Sequence, residues 1–326
     1  MHPAFSVILL TTLIGAGQGL FLALFTVQSH ALVGLLPAVE GRVLYAQGGA
    51  IALLLLAAGL VASFFHLGRP ERAWRSAAQW RTSWLSREVI VLPAFMAAVA
   101  LYAGVHALGW TPVLVTPPQG PAIDLGLVIG VAGTLLAFAL FVCTGMVYAC
   151  VRFLAEWHTP LTLLNYTLLG GASGFMLAAA LATLAAPSLV GFLSGWAIVL
   201  TLLAAIGRLA SLWRNARLKP RSTIQSAIGI KHPVVVQRSK GFMGGSFNTR
   251  EFFHGVAAPR LRLVKHAFLV LAFVVPVVLA AAGRAEASAS LLLGAFAVQY
   301  VGLLAERWFF FAQANHPQNL YYQAVS

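Results

Sequence analysis

The feature that most constrains this chain is a series of long, continuous apolar stretches. Eight can be marked within the 326 residues, and each is close to the roughly 20 residues that span the hydrocarbon core of a bilayer. Because hydrophobic residues make up 60% of the chain and charged residues only 9%, lipid is the expected solvent for most of it. The stretches cover residues 5–30, 43–65, 88–108, 123–149, 160–185, 189–212, 264–282 and 287–311.

The same stretches predict helices rather than strands. Every backbone N–H and C=O in lipid must be paired within its own segment or within a closed barrel. These stretches are rich in Leu, Ala and Val and lack the alternation of barrel strands. We therefore predict an all-α integral membrane protein, a single transmembrane domain over residues 1–326 that forms a bundle of about eight helices.

The basic residues are distributed unevenly between the two sides of such a bundle. If the N-terminus lies on one side, here called side one, all 21 Lys and Arg residues fall on that side except Arg42 and Arg284. The positive-inside rule then places side one, with both termini, in the cytoplasm. A docking surface for an acidic partner is a second explanation of the same asymmetry. With topology accounting for the net charge of +13, nucleic-acid binding is not expected.

One hydrophilic segment, residues 214–262, is too long to be a simple connection. Loops of this length are usually functional or disordered. Its centre mixes glycine with aromatic residues, which favours an ordered binding loop. We predict a basic cytoplasmic loop that docks a partner protein, and the candidate docking residues in it are Phe242, Met243, Phe247 and Arg250.

Glycines spaced four apart occur in three of the apolar stretches. The first pair belongs to a Gly-Ala-Gly-Gln-Gly run that lies inside a helix with no strand before it, so a nucleotide-binding loop is rejected. This spacing lets transmembrane helices approach closely. The pairs are Gly15 with Gly19, Gly126 with Gly130, and Gly170 with Gly174. Helix packing is the favoured interpretation of this run, although Gln18, which lies within the first pair, is a polar group inside the membrane and could face a cavity.

The most informative segment runs from His66 to Glu88 and reads HLGRPERAWRSAAQWRTSWLSRE. We expect it to close the second helix and to open the third at Ser86. Each end has an ordinary explanation alone, since a histidine suits a helix C-terminus and an acid suits a first turn behind a serine cap. Together, at one membrane boundary beside a basic loop, His66 and Glu88 favour a function.

A quinone site fits this pair of residues. Quinone reduction takes up two protons with two electrons, and a histidine that titrates near neutral pH can donate and be refilled. A carboxylate at the interface can relay protons from water. A b-type haem between His30 and His106 is not expected, because both lie near helix ends. Two cysteines, Cys143 and Cys150, are too few for an iron–sulfur cluster, and no metal site is predicted.

At these residues the chain resembles the DmsC-type anchor subunits of molybdopterin oxidoreductase complexes and, more distantly, the NrfD and polysulfide-reductase membrane subunits. The resemblance implies an eight-helix bundle in the bacterial inner membrane that exchanges electrons with the quinone pool. It also implies a ferredoxin-like 4Fe-4S partner and a molybdopterin catalytic partner, and it associates His66, Gly68 and Glu88 with quinol binding. The segments that carry it are HPAFSVILLTTLIGAGQGL, HLGRPERAW, SWLSRE, GFMGGSFNTREFFHG and ANHPQNLYYQ.

Several arginines and one glutamine complete the predicted sites. Arg69, Arg87 and Gln18 are assigned to the quinone site, although setting the topology alone would also explain the arginines. The candidate docking residues in the loop after the second helix are Arg72, Arg75 and Arg81.

The direction of electron flow is predicted from the side of the membrane. Within the family, a complex on the cytoplasmic face resembles the sulfite-oxidising SoeABC-type group, which favours quinone reduction with electrons from sulfite. The alternatives are a quinol-oxidising anchor of a dimethyl sulfoxide or polysulfide reductase, and a purely structural anchor. A transporter is disfavoured because ionisable residues are scarce at mid-helix.

Overall fold

The computed structural model describes residues 2–36, 41–118, 120–219, 223–236 and 256–317. In that part of the chain eight helices are long and apolar enough to cross a bilayer, which confirms the predicted all-α membrane bundle. They are α1 (Phe5–Leu32), α2 (Arg42–Phe64), α3 (Trp84–Leu108), α4 (Leu125–Ala149), α5 (Pro160–Ala185), α6 (Val190–Asn215), α7 (Ala258–Glu286) and α8 (Ala289–Ala312). One π-helical turn, Val270–Val274, interrupts α7.

Shorter elements occupy four of the connections, and one of them is a 3-10 helix, Pro187–Leu189, between α5 and α6. A 3-10 helix, Pro70–Gln79, follows α2 on side one, and a short helix, Ile224–Ile228, follows α6. On the opposite side, here called side two, strands Val113–Val115 and Ile123–Asp124 pair antiparallel. This hairpin was not predicted from the sequence. It ends at Asp124, whose Oδ1 accepts a hydrogen bond from the Leu127 N–H at 2.7 Å and so caps α4.

The start of α3 differs from the prediction. Ser83, not Ser86, is the N-cap, and its hydroxyl accepts a hydrogen bond from the Ser86 N–H at 3.4 Å. The sequence offers two serines, and the apolar Trp84 and Leu85 between them extend the helix by one turn. Glu88 consequently lies at the beginning of the second turn, deeper in the membrane than expected.

The long loop predicted over residues 214–262 is shorter than expected, because α6 continues to Asn215 and α7 begins at Ala258. Arg260 and Arg262 are therefore helical. The predicted docking residues of this loop, Phe242, Met243, Phe247 and Arg250, lie outside the described residues, so their role stays a prediction.

The most enclosed helices are α1 and α5, in which 67% and 72% of the spanning window is buried. They pack against each other, and both also contact α2, α4 and α8. The helices that face lipid most, such as α4 and α7, lie at the periphery. The pair formed by α1 and α5 is therefore the centre of the bundle.

The crossing of α1 and α5 confirms the close approach predicted from glycine spacing. A Cβ atom on Gly19 would overlap the carbonyl of Gly170, and one on Gly174 would overlap the backbone of Gly19 and Leu20. A Cβ atom on Gly15 would lie 3.5 Å from the Cα of Gly170. Only glycine permits two backbones to meet at this distance.

The remaining glycine pair, on α4, packs differently. Gly126 and Gly130 on α4 receive side chains instead of a backbone, namely the His106 ring against Gly126 and the Phe25 ring against Gly130. The glycine spacing therefore predicted a packing surface correctly, but it did not show that side chains rather than a backbone pack against it.

We predict that Gly174→Ala destabilises the bundle by about 1–3 kcal/mol, because the added methyl group must push two backbones apart. Thermal unfolding of the purified protein in detergent measures the effect. Gly104→Ala is the matched control, since an added Cβ atom there meets nothing within 4 Å. An equal loss of stability in both variants would contradict the crossing.

Candidate functional site

A narrow cavity lies inside the bundle among α1, α3, α4, α5 and α8. Most of its polar lining belongs to the ends of these helices that point to side one. It has room for about one or two water molecules. The polar residues that line it are Thr11, Thr12, Gln18, Glu88, Thr144, Tyr166, Ser173 and Arg307.

Glu88 places a carboxylate in the wall of this cavity. Its position after the start of α3 corresponds to a depth of about 6 Å along the helix. The hydroxyl of Thr144 on α4 donates a hydrogen bond to Glu88 Oε1 at 2.6 Å. An ionisable group at this depth faces the bundle interior or a water-filled cavity and often marks a proton route. The geometry thus supplies Glu88 with a polar partner and with access to water.

Gln18 lines the same cavity from α1 and is 2% exposed. Its Nε2 atom donates a hydrogen bond to the carbonyl of Ala137 on α4 at 2.9 Å. The polar residue inside the first apolar stretch therefore faces a cavity, which is one of the two interpretations that the sequence left open. Its assignment to a quinone site stays a prediction.

His66 and Gly68 lie in the exposed loop just beyond α2. Neighbouring atoms partly desolvate the His66 ring and lower its pKa, so the ring is mostly neutral at pH 7 and can accept a proton. A Cβ atom added at Gly68 would meet nothing within 4 Å. In the described residues no hydrogen bond joins His66 to Glu88, and His66 does not line the cavity.

Arg87 points toward the loop rather than into the cavity. Its Nε and Nη2 atoms donate hydrogen bonds to the carbonyls of Trp80 and Arg81 at 2.9 and 2.8 Å. The guanidinium also lies 4.2 Å from the centre of the Trp84 ring. These contacts tie the loop to the first turn of α3, so Arg87 positions the residue that follows it, Glu88. Arg69 is exposed at the start of the 3-10 helix.

The three arginines predicted to dock a partner are exposed on side one. Arg75 lies over the Trp74 ring at 5.5 Å, and Arg81 lies over the Trp80 ring at 5.3 Å. Arg72 is 3.7 Å from the carboxylate of Glu71. They form a basic and aromatic surface beside the loop of His66, and docking there stays a prediction.

A buried ion cluster on α6 and α8 was not predicted from the sequence. Arg208 Nε lies 2.6 Å from Glu306 Oε1, and Arg307 Nη2 lies 3.5 Å from Glu306 Oε2. All three side chains are at most 6% exposed. The Arg307 guanidinium also stacks 3.8 Å above the Tyr166 ring. This cluster lies next to the cavity that contains Glu88, because Arg307 and the Tyr166 ring on which it stacks also line that cavity.

The cluster shows that two of the basic residues counted on side one, Arg208 and Arg307, are not loop charges. Both lie inside helices and face the bundle. The sequence carried a local signal, because both arginines lie in apolar stretches at least one turn before their helices end and Glu306 directly precedes Arg307. Charges within spanning segments are usually paired and functional.

The two histidines weighed for haem have separate neighbours. The buried His106 ring packs against Tyr45 and Tyr102, with centres 4.9 and 4.5 Å apart. His30 Nδ1 lies 2.7 Å from the carbonyl of Thr26. The expectation that no b-type haem is bound stays a prediction.

Eight spanning helices around a polar intramembrane cavity define a multi-pass integral membrane protein with a site near one face. The family of the DMSO reductase anchor subunit (DmsC) matches residues 1–312. A sulfite dehydrogenase subunit of Allochromatium vinosum is 58% identical over 326 residues, which is 100% of both chains. The chain belongs to the DmsC family of membrane anchor subunits.

We predict that Glu306→Gln lowers the stability of the bundle by about 3–5 kcal/mol, because it leaves two buried guanidinium groups without their carboxylate. Thermal unfolding in detergent measures this. Glu71→Gln removes an exposed carboxylate from a 3.7 Å ion pair and is expected to change stability little. A Glu306→Gln protein as stable as the Glu71→Gln protein would rule out a structural role for the cluster.

Proposed function

We propose that this chain is the quinone-reactive membrane subunit of an oxidoreductase complex and that it passes electrons from sulfite oxidation to the quinone pool. Family membership supports the anchoring role. The name of the relative, a sulfite dehydrogenase subunit, supports sulfite as the electron donor. The chemistry balances: sulfite and water give sulfate, two protons and two electrons, and a quinone takes up two electrons and two protons.

The observation that carries this proposal is the carboxylate of Glu88 in a polar cavity at shallow membrane depth. A lipid-soluble quinone reaches its site through the bilayer, whereas its protons come from water. Glu88 is accessible from the cavity and lies within two helical turns of the side-one boundary. A carboxyl group in this position can donate a proton to a quinone ring oxygen and then be reprotonated from water.

The cavity is narrower than a quinone ring, so the ring belongs on the outer side of Glu88. There the loop of His66 and Gly68 borders the same end of the bundle, and Gly68 leaves open space. We assign the cavity to proton supply and this outer side to the ring. Gln18 then contributes a polar group to the inner wall of the cavity. Arg87 positions Glu88, because its hydrogen bonds hold the start of α3 against the loop.

We predict that Glu88→Gln lowers sulfite-dependent quinone reduction by about a hundredfold, the lower range for loss of a general acid or base. Oxidation of sulfite with a soluble artificial acceptor should remain unchanged, since this reaction bypasses the quinone. Both rates are measured on the purified complex. Glu71→Gln is the matched control, because the same change is made in an exposed carboxylate on the same side.

Full quinone turnover in the Glu88→Gln complex would contradict the quinone-reactive role and favour a purely structural anchor. A complex that couples quinol oxidation to S-oxide reduction, and that does not oxidise sulfite, would instead support the reductase role in the family name.

The proposed orientation places side one in the cytoplasm of a bacterium, with the chain in the inner membrane. Support comes from the basic loops on that side, including exposed Arg72, Arg75 and Arg81. We propose that this surface docks the iron–sulfur subunit, which receives electrons from a molybdopterin catalytic subunit.

The orientation predicts which engineered cysteines a membrane-impermeant thiol reagent will reach. In a background without Cys143 and Cys150, Ala78→Cys lies in an exposed part of the side-one loop and Thr116→Cys in the exposed hairpin of side two. Labelling of Ala78→Cys is expected only in inverted vesicles, and labelling of Thr116→Cys only in intact cells. The reverse pattern would overturn the orientation.

A further inference from the structure

A second small cavity adjoins the one that contains Glu88. Tyr166 and Arg307 lie in the walls of both, so the two spaces lie on either side of these side chains. The second cavity extends toward side one and has room for about one water molecule. Its lining residues are Glu156, Thr162, Asn165, Tyr166, Arg208, Ser211, Glu306, Arg307 and Phe310.

Polar atoms around the second cavity are buried without hydrogen-bond partners in the described part of the chain. They include Glu156 Oε2, Asn165 Oδ1, the Tyr166 hydroxyl, Arg208 Nη2 and Arg307 Nε. The Tyr166 hydroxyl lies near Tyr148 and Arg307 but makes no hydrogen bond of ordinary geometry. Buried polar groups beside a space of this size are typically satisfied by ordered water.

The outer end of this polar region reaches the membrane surface at Glu156. This residue is half-buried in the loop between α4 and α5. The loop is held in place from α6, because Arg214 donates a hydrogen bond to the carbonyl of Ala155 at 3.0 Å and Asn215 to the carbonyl of Glu156 at 3.4 Å. The backbone that carries Glu156 is thus held in place, and the half-buried Glu156 side chain lines the second cavity.

The charges along the region permit a proton to pass. Two guanidinium groups, Arg208 and Arg307, are outnumbered by three carboxylates, Glu156, Glu306 and Glu88. Arg208 and Arg307 are both engaged by Glu306. The region therefore does not repel a proton as two unpaired arginines would.

We propose that these two cavities form a water-bridged proton pathway from Glu156 on side one, past Tyr166 and Arg307, to Glu88. The pathway rests on the proposed quinone function. Each quinone reduced takes two electrons from the partner subunits and two protons through Glu88, and the pathway returns two protons from side-one water. We assign the step between the two cavities to Tyr166, since its side chain lines both and its hydroxyl is buried.

The test uses Tyr166→Phe and Glu156→Gln in the purified complex. Tyr166→Phe removes the hydroxyl and keeps the ring that stacks on Tyr148 and Arg307, so the bundle is expected to fold. Quinone reduction should fall about tenfold or more in both variants, and formic acid, a small permeant proton carrier, should restore it. Sulfite oxidation with a soluble acceptor should be unaffected.

The control is Tyr102→Phe, which removes a buried hydroxyl bonded to Gln28 in the half of the bundle near side two, and full quinone turnover is expected in it. Full turnover in Tyr166→Phe and Glu156→Gln, with the Glu88→Gln rate lowered, would overturn the pathway and leave the proposed function standing. Full turnover in all three would overturn both. A loss that formic acid does not restore, with a lower unfolding temperature, would show a structural role and overturn the pathway.

Discussion

The backbones of α1 and α5 meet at Gly15, Gly19, Gly170 and Gly174, and the positions of the other helices follow from this contact. Lipid offers no hydrophobic driving force between helices, so close packing must hold them together. A methyl group in place of a hydrogen atom at Gly19 or Gly174 would overlap the facing backbone and push α1 and α5 apart. The contact brings Gln18 and Tyr166, which lie on either side of it, into one polar region. The stability of the bundle and the geometry of the site therefore both depend on this contact.

The same lipid environment explains why the buried charges are grouped. A single charge inside the bilayer is costly, whereas opposite charges held together are tolerated. Glu306 engages the two arginines nearest to it, and Thr144 engages Glu88. In the described part of the chain, several buried polar atoms without a hydrogen-bond partner lie along two small water-sized spaces, and this supports the proposed proton pathway.

Much of the architecture was predictable because its signals are local in sequence. The length of apolar stretches gives the helices, four-residue glycine spacing gives the crossing, and the isolated polar Gln18 indicates a cavity. The depth of Glu88 was not predictable, since two serines competed as the cap of α3. The pairing of Arg208 with Glu306 joins residues from different helices, and sequence spacing carries no information about which helices face each other. Phe242, Met243, Phe247 and Arg250 lie outside the described residues.

The central claim is that a quinone binds at the side-one end of α3 beside Glu88. Photo-crosslinking with an azido-quinone, followed by mapping of the labelled peptides in the intact complex, tests it most directly. The account predicts label on the first turns of α3 and on the loop that contains His66 and Gly68, with competition by unmodified quinone. Competable label confined to side two, around His30, Tyr102 and His106, would contradict it.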